Sequence, residues 1–191
     1  FNNSNIISYH AEDCGAIYNE DVFEIYNSII ENSNAYYYRY YNGFGGAIYN
    51  NYGFITSSNT IYIQCSALCG GVVYNRNGHL DINGCSFSSN IAYEYNSSDV
   101  ISDLGGVIFN NDATCNITTS NFTDNNATLG AILYSIYSSS IISIDNSNIT
   151  DNTNTPFYIE ECGEFNLTNT TIKYTIITNQ TDITLTAPII I

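Results

Sequence analysis

Positive charge is almost missing from this chain of 191 residues: Arg39, Arg76 and Lys173 stand against eighteen acidic side chains, for a net charge of −15. Binding to nucleic acid or to an anionic membrane surface needs clustered Lys and Arg, so both partners are set aside. Methionine is absent, and the opening "FNNSNIISYH" has no basic start leading into an apolar run. The expectation is a processed chain or a fragment, with no signal peptide remaining. No apolar run approaches the ~18 residues of a membrane span, so no membrane insertion is expected. Only two histidines occur and no CxxC pair, which argues against zinc.

What is present is asparagine (29), serine with threonine (38) and tyrosine (18). Helix formers are scarce while β-branched and aromatic residues abound, which favours strands. The six cysteines, at 14, 65, 69, 85, 115 and 162, fit an oxidising, extracellular setting. Cys65 and Cys69 are near enough in sequence to form a disulfide across a tight turn. The other cysteines read equally well as buried thiols acting as small hydrophobes.

One hexapeptide is written five times: "CGAIYN" at 14–19, "GGAIYN" at 45–50, "GGVVYN" at 70–75, "GGVIFN" at 105–110 and "LGAILY" at 129–134. Taking Gly15, Gly46, Gly71, Gly106 and Gly130 as equivalents, the steps are 31, 25, 35 and 24 residues. Periods in this range mark solenoids or arrays. A short alternating run follows each motif: Phe23-Glu24-Ile25, Phe54-Ile55-Thr56, Leu80-Asp81-Ile82, Cys115-Asn116-Ile117, Ile142-Ser143-Ile144 and Phe165-Asn166-Leu167. A third block then opens on an apolar residue, best in Phe87-Ser88-Ser89-Asn90, Phe122-Thr123-Asp124-Asn125 and Ile149-Thr150-Asp151-Asn152, and more weakly at Ile61-Tyr62-Ile63-Gln64. Period-two alternation is the signature of a half-buried strand, and the intervening Asn, Ser and Gly are turn residues. Three short strands per ~25–30 residues are too few for a propeller blade. The expected fold is all-β, a right-handed parallel β-helix of about six coils with three strands each, covering residues 1–191 as one domain.

Each repeated residue then has a job fixed by stacking. The glycine takes a corner, through a positive φ or a backbone approach that a Cβ would forbid. Ile17, Ile48, Val73, Ile108 and Ile132 form an aliphatic column, and Asn90, Asn125 and Asn152 an amide ladder. Tyr18, Tyr49, Tyr74, Phe109 and Leu133 fall on the opposite face by alternation. They form either an exposed strip able to stack on sugar rings or part of a core, and burial is favoured because an exposed strip invites aggregation.

Two insertions, 36–44 and 93–104, lengthen the step before a glycine motif. Such insertions often build a binding surface on one corner of a solenoid. Tyr36, Tyr37, Tyr38, Arg39, Tyr40 and Tyr41 have the composition of a paratope, though a loop folded over the coil's own flank accounts for them equally. The apolar tail, 176–191, is a candidate strand for addition to a neighbouring molecule.

The pairing of a GG[A/V][I/V] motif (Gly45–Ile48, Gly70–Val73, Gly105–Ile108) with FxxN (Phe87–Asn90, Phe122–Asn125) resembles the repeats of chlamydial polymorphic outer-membrane proteins and related adhesin-like surface proteins. The resemblance covers about residues 5–175. It implies a surface-exposed β-helix with an adhesive role and brings no catalytic residues. The copies at 15 and 130 lack the first glycine, and "TPFYIE" (155–160) carries Pro156 where glycine would stand.

Nine sequons, at Asn2, Asn96, Asn116, Asn121, Asn126, Asn148, Asn166, Asn169 and Asn179, make N-glycosylation an expectation for a secreted chain. Glu160, Glu161 and Glu164 are a candidate Ca²⁺ site, with a solvated acidic turn as the alternative; no other cofactor is expected. A polysaccharide-active enzyme would need paired carboxylates. The candidate acids, Glu12/Asp13, Glu20/Asp21, Asp99/Asp103 and the Glu160 group, lie in turns and do not recur on one face. No enzyme activity is therefore expected. The expected role is an extracellular or cell-surface adhesive module whose partner is a protein or glycan surface. The alternative is a subunit of a glycosylated filament assembled from copies of itself.

Overall fold

A computed structural model describes residues 1–12, 14–37, 43–95, 102–172, 176–178 and 183–186. Every strand pair within it is parallel, and each sheet is built from strands one winding apart in sequence. This is a parallel β-helix, and the described residues contain no helix.

Three seven-stranded sheets form its faces. The motif sheet comprises Ile17–Asn19, Ile48–Asn51, Val73–Arg76, Ile108–Asn111, Leu133–Ile136, Phe157–Ile159 and Ile176–Thr178. The alternating sheet comprises Val22–Tyr26, Phe54–Ser58, His79–Asn83, Thr114–Thr118, Ile141–Asp145, Glu164–Thr168 and Ile183–Thr186. The third sheet comprises Asn5–Ile7, Ile29–Glu31, Ile61–Ile63, Ser86–Ser88, Asn121–Thr123, Asn148–Thr150 and Thr171–Ile172. A fourth sheet not expected from the sequence holds the two-residue strands His10–Ala11, Asn34–Ala35, Ser66–Ala67 and Ile91–Ala92. Its inward residues Ala35, Ala67 and Ala92 are buried. Small side chains let this face lie close to the core, and two-residue strands leave no alternation to detect.

Single residues in the left-handed region turn the corners. Between the alternating and third sheets these are Asn27, Asn59, Gly84, Thr119, Asn146 and Asn169, with φ of 46–62°. Asn32, Gln64, Ser89, Asp124 and Asp151 do the same after the third sheet, and Tyr52, Asn77, Asp112 and Tyr137 after the motif sheet. Asn and Asp dominate because their short polar side chains tolerate this conformation.

Behind the corners run buried polar ladders. Asn90 Nδ2 donates to Asn125 Oδ1 at 3.0 Å, and Asn125 Nδ2 to Asn152 Oδ1 at 2.9 Å. A second amide ladder lies within the repeated hexapeptide itself: Asn19 to Asn50 at 2.8 Å, Asn50 to Asn75 at 2.8 Å, and Asn75 to Asn110 at 2.9 Å. At the remaining corner, backbone N–H groups of Cys85, Ser120 and Ser147 donate to the hydroxyls of Ser120, Ser147 and Thr170. Each ladder satisfies backbone groups that the corner would otherwise bury unpaired.

The interior is filled by like-on-like columns. Tyr62, Phe87 and Phe122 stack with centroids 4.9 and 4.8 Å apart and planes within 4° of parallel, close to the ~4.8 Å separation of strands. Two sequence alignments slip by one residue. Ile55, not Phe54, faces inward with Phe23 and Leu80, and Tyr62, not Ile61, pairs with Phe87; Phe54 is 58 % exposed. The slip arises because Ser57 occupies an inward position that is aliphatic in the neighbouring coils. Its hydroxyl lies 2.7 Å from the Tyr62 hydroxyl inside the core.

The glycine assignment also needs correction. The positive φ belongs to Gly45, Gly70, Gly105 and Gly130. Gly46, Gly71 and Gly106 are instead required by close approach, since a Cβ on Gly46 would lie 2.1 Å from the Gly71 carbonyl oxygen. Gly130 is thus equivalent to Gly45 rather than Gly46, and Leu133 rather than Ile132 continues the aliphatic column, paired with Ile108. In the next coil Asn154, at φ 58°, takes the left-handed position, and Pro156 falls two residues later.

No disulfide joins Cys65 to Cys69: Cys65 belongs to the interior core, and Cys69 to a separate cluster outside the motif sheet. Cys65, Cys85 and Cys115 are buried thiols, so the cysteine count does not fix a redox compartment. Strands from the apolar tail, 176–178 and 183–186, pair with this chain's own sheets as their end strands, and 187–191 lie outside the described residues.

Candidate functional site

The steps between strands are unequal around the coil. From the start of an alternating strand to the start of the next third-sheet strand is seven residues in all six cases (22 to 29 through 164 to 171), and from third to fourth sheet always five. Between the fourth sheet and the motif sheet the step is seven residues in two coils (10 to 17, 66 to 73) and longer in two others (34 to 48, 91 to 108). Both insertions therefore leave from the same corner, two coils apart.

They meet across the coil between them. Tyr37, from the first insertion, and Tyr95, from the second, have ring centroids 4.5 Å apart. The Tyr93 hydroxyl donates to the Ala35 carbonyl at 2.9 Å, and burial pushes that phenol's pKa up. The Tyr95 N–H donates to Ser102 Oγ at 3.1 Å, closing the neck of the second insertion. Asp103 caps Thr128 in the next coil, accepting from its N–H at 2.8 Å and from its hydroxyl. Tyr36 is exposed; Tyr38, Arg39, Tyr40 and Tyr41 lie outside the described residues.

The aromatic column does lie opposite the aliphatic one, yet it is not an open strip. Gly45, Gly70, Gly105 and Gly130 let the preceding segment fold over it, so Phe44, Cys69, Leu104 and Leu129 align and pack on the rings. Tyr74, Phe109, Tyr134 and Tyr158 stack at 4.9–5.2 Å, nearly parallel. Tyr134, not Leu133, continues this column. Burial, with Glu160 accepting from its hydroxyl, raises the pKa of Tyr134; burial alone dominates for Tyr74. Tyr18, in the first coil, is exposed and donates to Glu20 Oε1 at 2.8 Å.

Glu160, Glu161 and Glu164 do not converge. Glu160 is engaged by Tyr134 and Glu164 by the Asn166 amide, and no three His, Cys, Asp or Glu side chains among the described residues could hold a metal together. His79 begins a strand and its Nε2 lies 2.9 Å from Asp81 Oδ1, which also accepts from Asn116. The His-x-Asp spacing, which puts both on one strand face, is the signal by which sequence reasoning could have found this pair and did not.

Of the sequon asparagines, Asn96 and Asn179 lie outside the described residues. Asn2, Asn148 and Asn169 are exposed, and Asn116, Asn121, Asn126 and Asn166 are half-buried. Asn121 and Asn148 are register partners, the amide of Asn148 donating to Asn121 Oδ1 at 2.8 Å. Adjacent strands are ~4.8 Å apart, too close for two glycans side by side.

The sequence matches no protein-family model and no curated protein. Among solved structures it shows a likeness to QnrB1, a plasmid-mediated fluoroquinolone resistance protein, over 92 % of this chain and 91 % of that one, at 11 % identity. The TM-score of 0.21 gives no ground for transferring fold or function.

Proposed function

We propose that this chain is an extracellular adhesive module, a rigid β-helix presenting a tyrosine-rich corner to a protein or glycan surface. The observation that carries this reading is the meeting of the two insertions through Tyr37 and Tyr95. Rings with few rotatable bonds lose little entropy on contact, and that makes such corners good at recognition. Loops that vary on a fixed scaffold are where function is usually carried. No bound cofactor is needed for this role.

The intervening coil supplies the control, because it crosses the same corner with the single residue Leu68 between Ala67 and the Cys69 bridge position. Replacing 36–43 and 93–103 each by one leucine should leave the parallel-β circular dichroism spectrum intact and abolish adhesion of the chain to cell or matrix surfaces. Undiminished adhesion of that variant would reject the proposed corner.

A further inference from the structure

A groove of about 430 Å³ runs from Phe44, just after the first insertion, past Tyr74 and Arg76 to Asn111, Asp112 and Tyr137. We propose that it binds a neutral saccharide, which deepens the adhesive reading by assigning a ligand class to a second, separate site.

The lining combines what a hexose ring asks for. A pyranose has an apolar C–H face and a rim of hydroxyls that both donate and accept. An aromatic face carries negative charge density that suits the C–H side, and Tyr137 offers one, 52 % exposed. It is raised there because this corner is longer than its neighbours: eight residues separate the strand starts at 133 and 141, against six at 48 to 54, 73 to 79 and 108 to 114. Beside it, Arg76 presents donors only, Asn111 a donor and an acceptor, and Asp112 acceptors only. One guanidinium contact goes to the Tyr49 hydroxyl, which holds the head beside the groove. The Asn111 amide donates to the Tyr74 hydroxyl at 3.0 Å, orienting both on the groove floor.

Asp112 supplies the independent observation. Its Oδ1 is buried and has no hydrogen-bond partner among the described residues, a costly arrangement for a carboxylate oxygen. The carboxylate as a whole is only half-buried, and a rotation that brings this oxygen to the groove, where a ligand hydroxyl can donate to it, would remove that cost. From the coil of Phe44 to that of Tyr137 is three inter-coil steps, about 14 Å at ~4.8 Å each, long enough for an oligosaccharide lying along the axis. The net charge of −15 disfavours acidic sugars and so selects for neutral ones.

The test uses the full chain on an array of neutral oligosaccharides of glucose, galactose, mannose and N-acetylglucosamine, with glucuronate- and sialate-bearing ones alongside. Binding to a neutral member is expected, with Kd raised about tenfold or more by Tyr137→Asn and by Arg76→Gln. Asn accepts the positive φ of position 137 and removes only the ring, so that variant decides alone if Arg76→Gln disturbs Tyr49. The insertion-shortened protein retains Phe44 and should bind the same sugar unchanged, separating this site from the tyrosine-rich corner. Binding to acidic members only, binding indifferent to both substitutions, or binding to no array member would each overturn the proposal.

Discussion

Replacing Ser57 and Tyr62 singly and together tests whether the coils are specified by buried pairs as well as by apolar columns. Their hydroxyls are 2.7 Å apart and both residues are about 1 % exposed. Ser57→Ala leaves the phenol oxygen buried and without its partner, at a cost of about 1–3 kcal/mol. Tyr62→Phe leaves Ser57 its contact with Cys85 Sγ at 3.4 Å, so the loss should be about 1 kcal/mol. The double variant removes both polar atoms and should cost little more than the milder single change, a coupling of about 1–2 kcal/mol. Coils of a solenoid can open separately, so urea unfolding by circular dichroism should be joined to amide exchange. The N–H groups of Asn59 and Gln64, which bond to the Asn83 and Ser88 carbonyls, report this coil directly. Effects additive within about 0.5 kcal/mol would refute the argument.

Asn75 donates to Asn110 Oδ1 and to the Thr114 carbonyl and accepts from Asn50; Asn75→Ala should cost about 2–4 kcal/mol, against about 1 for Asn19→Ala at the ladder's end, and equal urea midpoints would contradict a ladder. Gly46→Ala places a Cβ 2.1 Å from one carbonyl oxygen and 2.6 Å from another; soluble yield and melting temperature should fall sharply, whereas unchanged melting would show that the coils can move apart. Burial pushes the Cys65 and Cys69 thiols up to about 12 from an ordinary value near 9. The folded chain then keeps protons that the unfolded chain releases, so stability falls as pH rises from about 9 to 12, by about 1.4 kcal/mol per pH unit for each thiol; a urea midpoint equal at pH 8 and 10.5 would refute this.

The winding and its three principal faces were legible because stacking forces near-identical neighbours and so writes periodicity into the sequence. What was misread has identifiable causes. Ser57 points inward, where an apolar template expects an aliphatic residue, so alternation alone shifted the second coil by one. Gly45 and Gly46 do different jobs, one for backbone conformation and one for clearance. A coil with a single glycine, such as that of Gly130, can therefore be aligned to either. The amide ladder through Asn50 and Asn75 sat in the quoted hexapeptide yet was passed over, because asparagine beside tyrosine reads as a turn residue rather than a buried one. The groove at Arg76 joins residues 44 to 137, and no local pattern marks it.

The strict seven- and five-residue steps at two corners, beside the elastic step before the motif sheet, make the molecule a ruler with one free margin. Text can be added along that margin without moving any graduation, since the interior columns do not run through it and its inter-coil hydrogen bonds, such as Leu68 N–H to the Gly43 carbonyl, lie at the feet of the insertions. A foreign peptide spliced at 36–43 or 93–103 would be displayed at a height set by counting coils, and two of them at a separation fixed in multiples of one strand spacing.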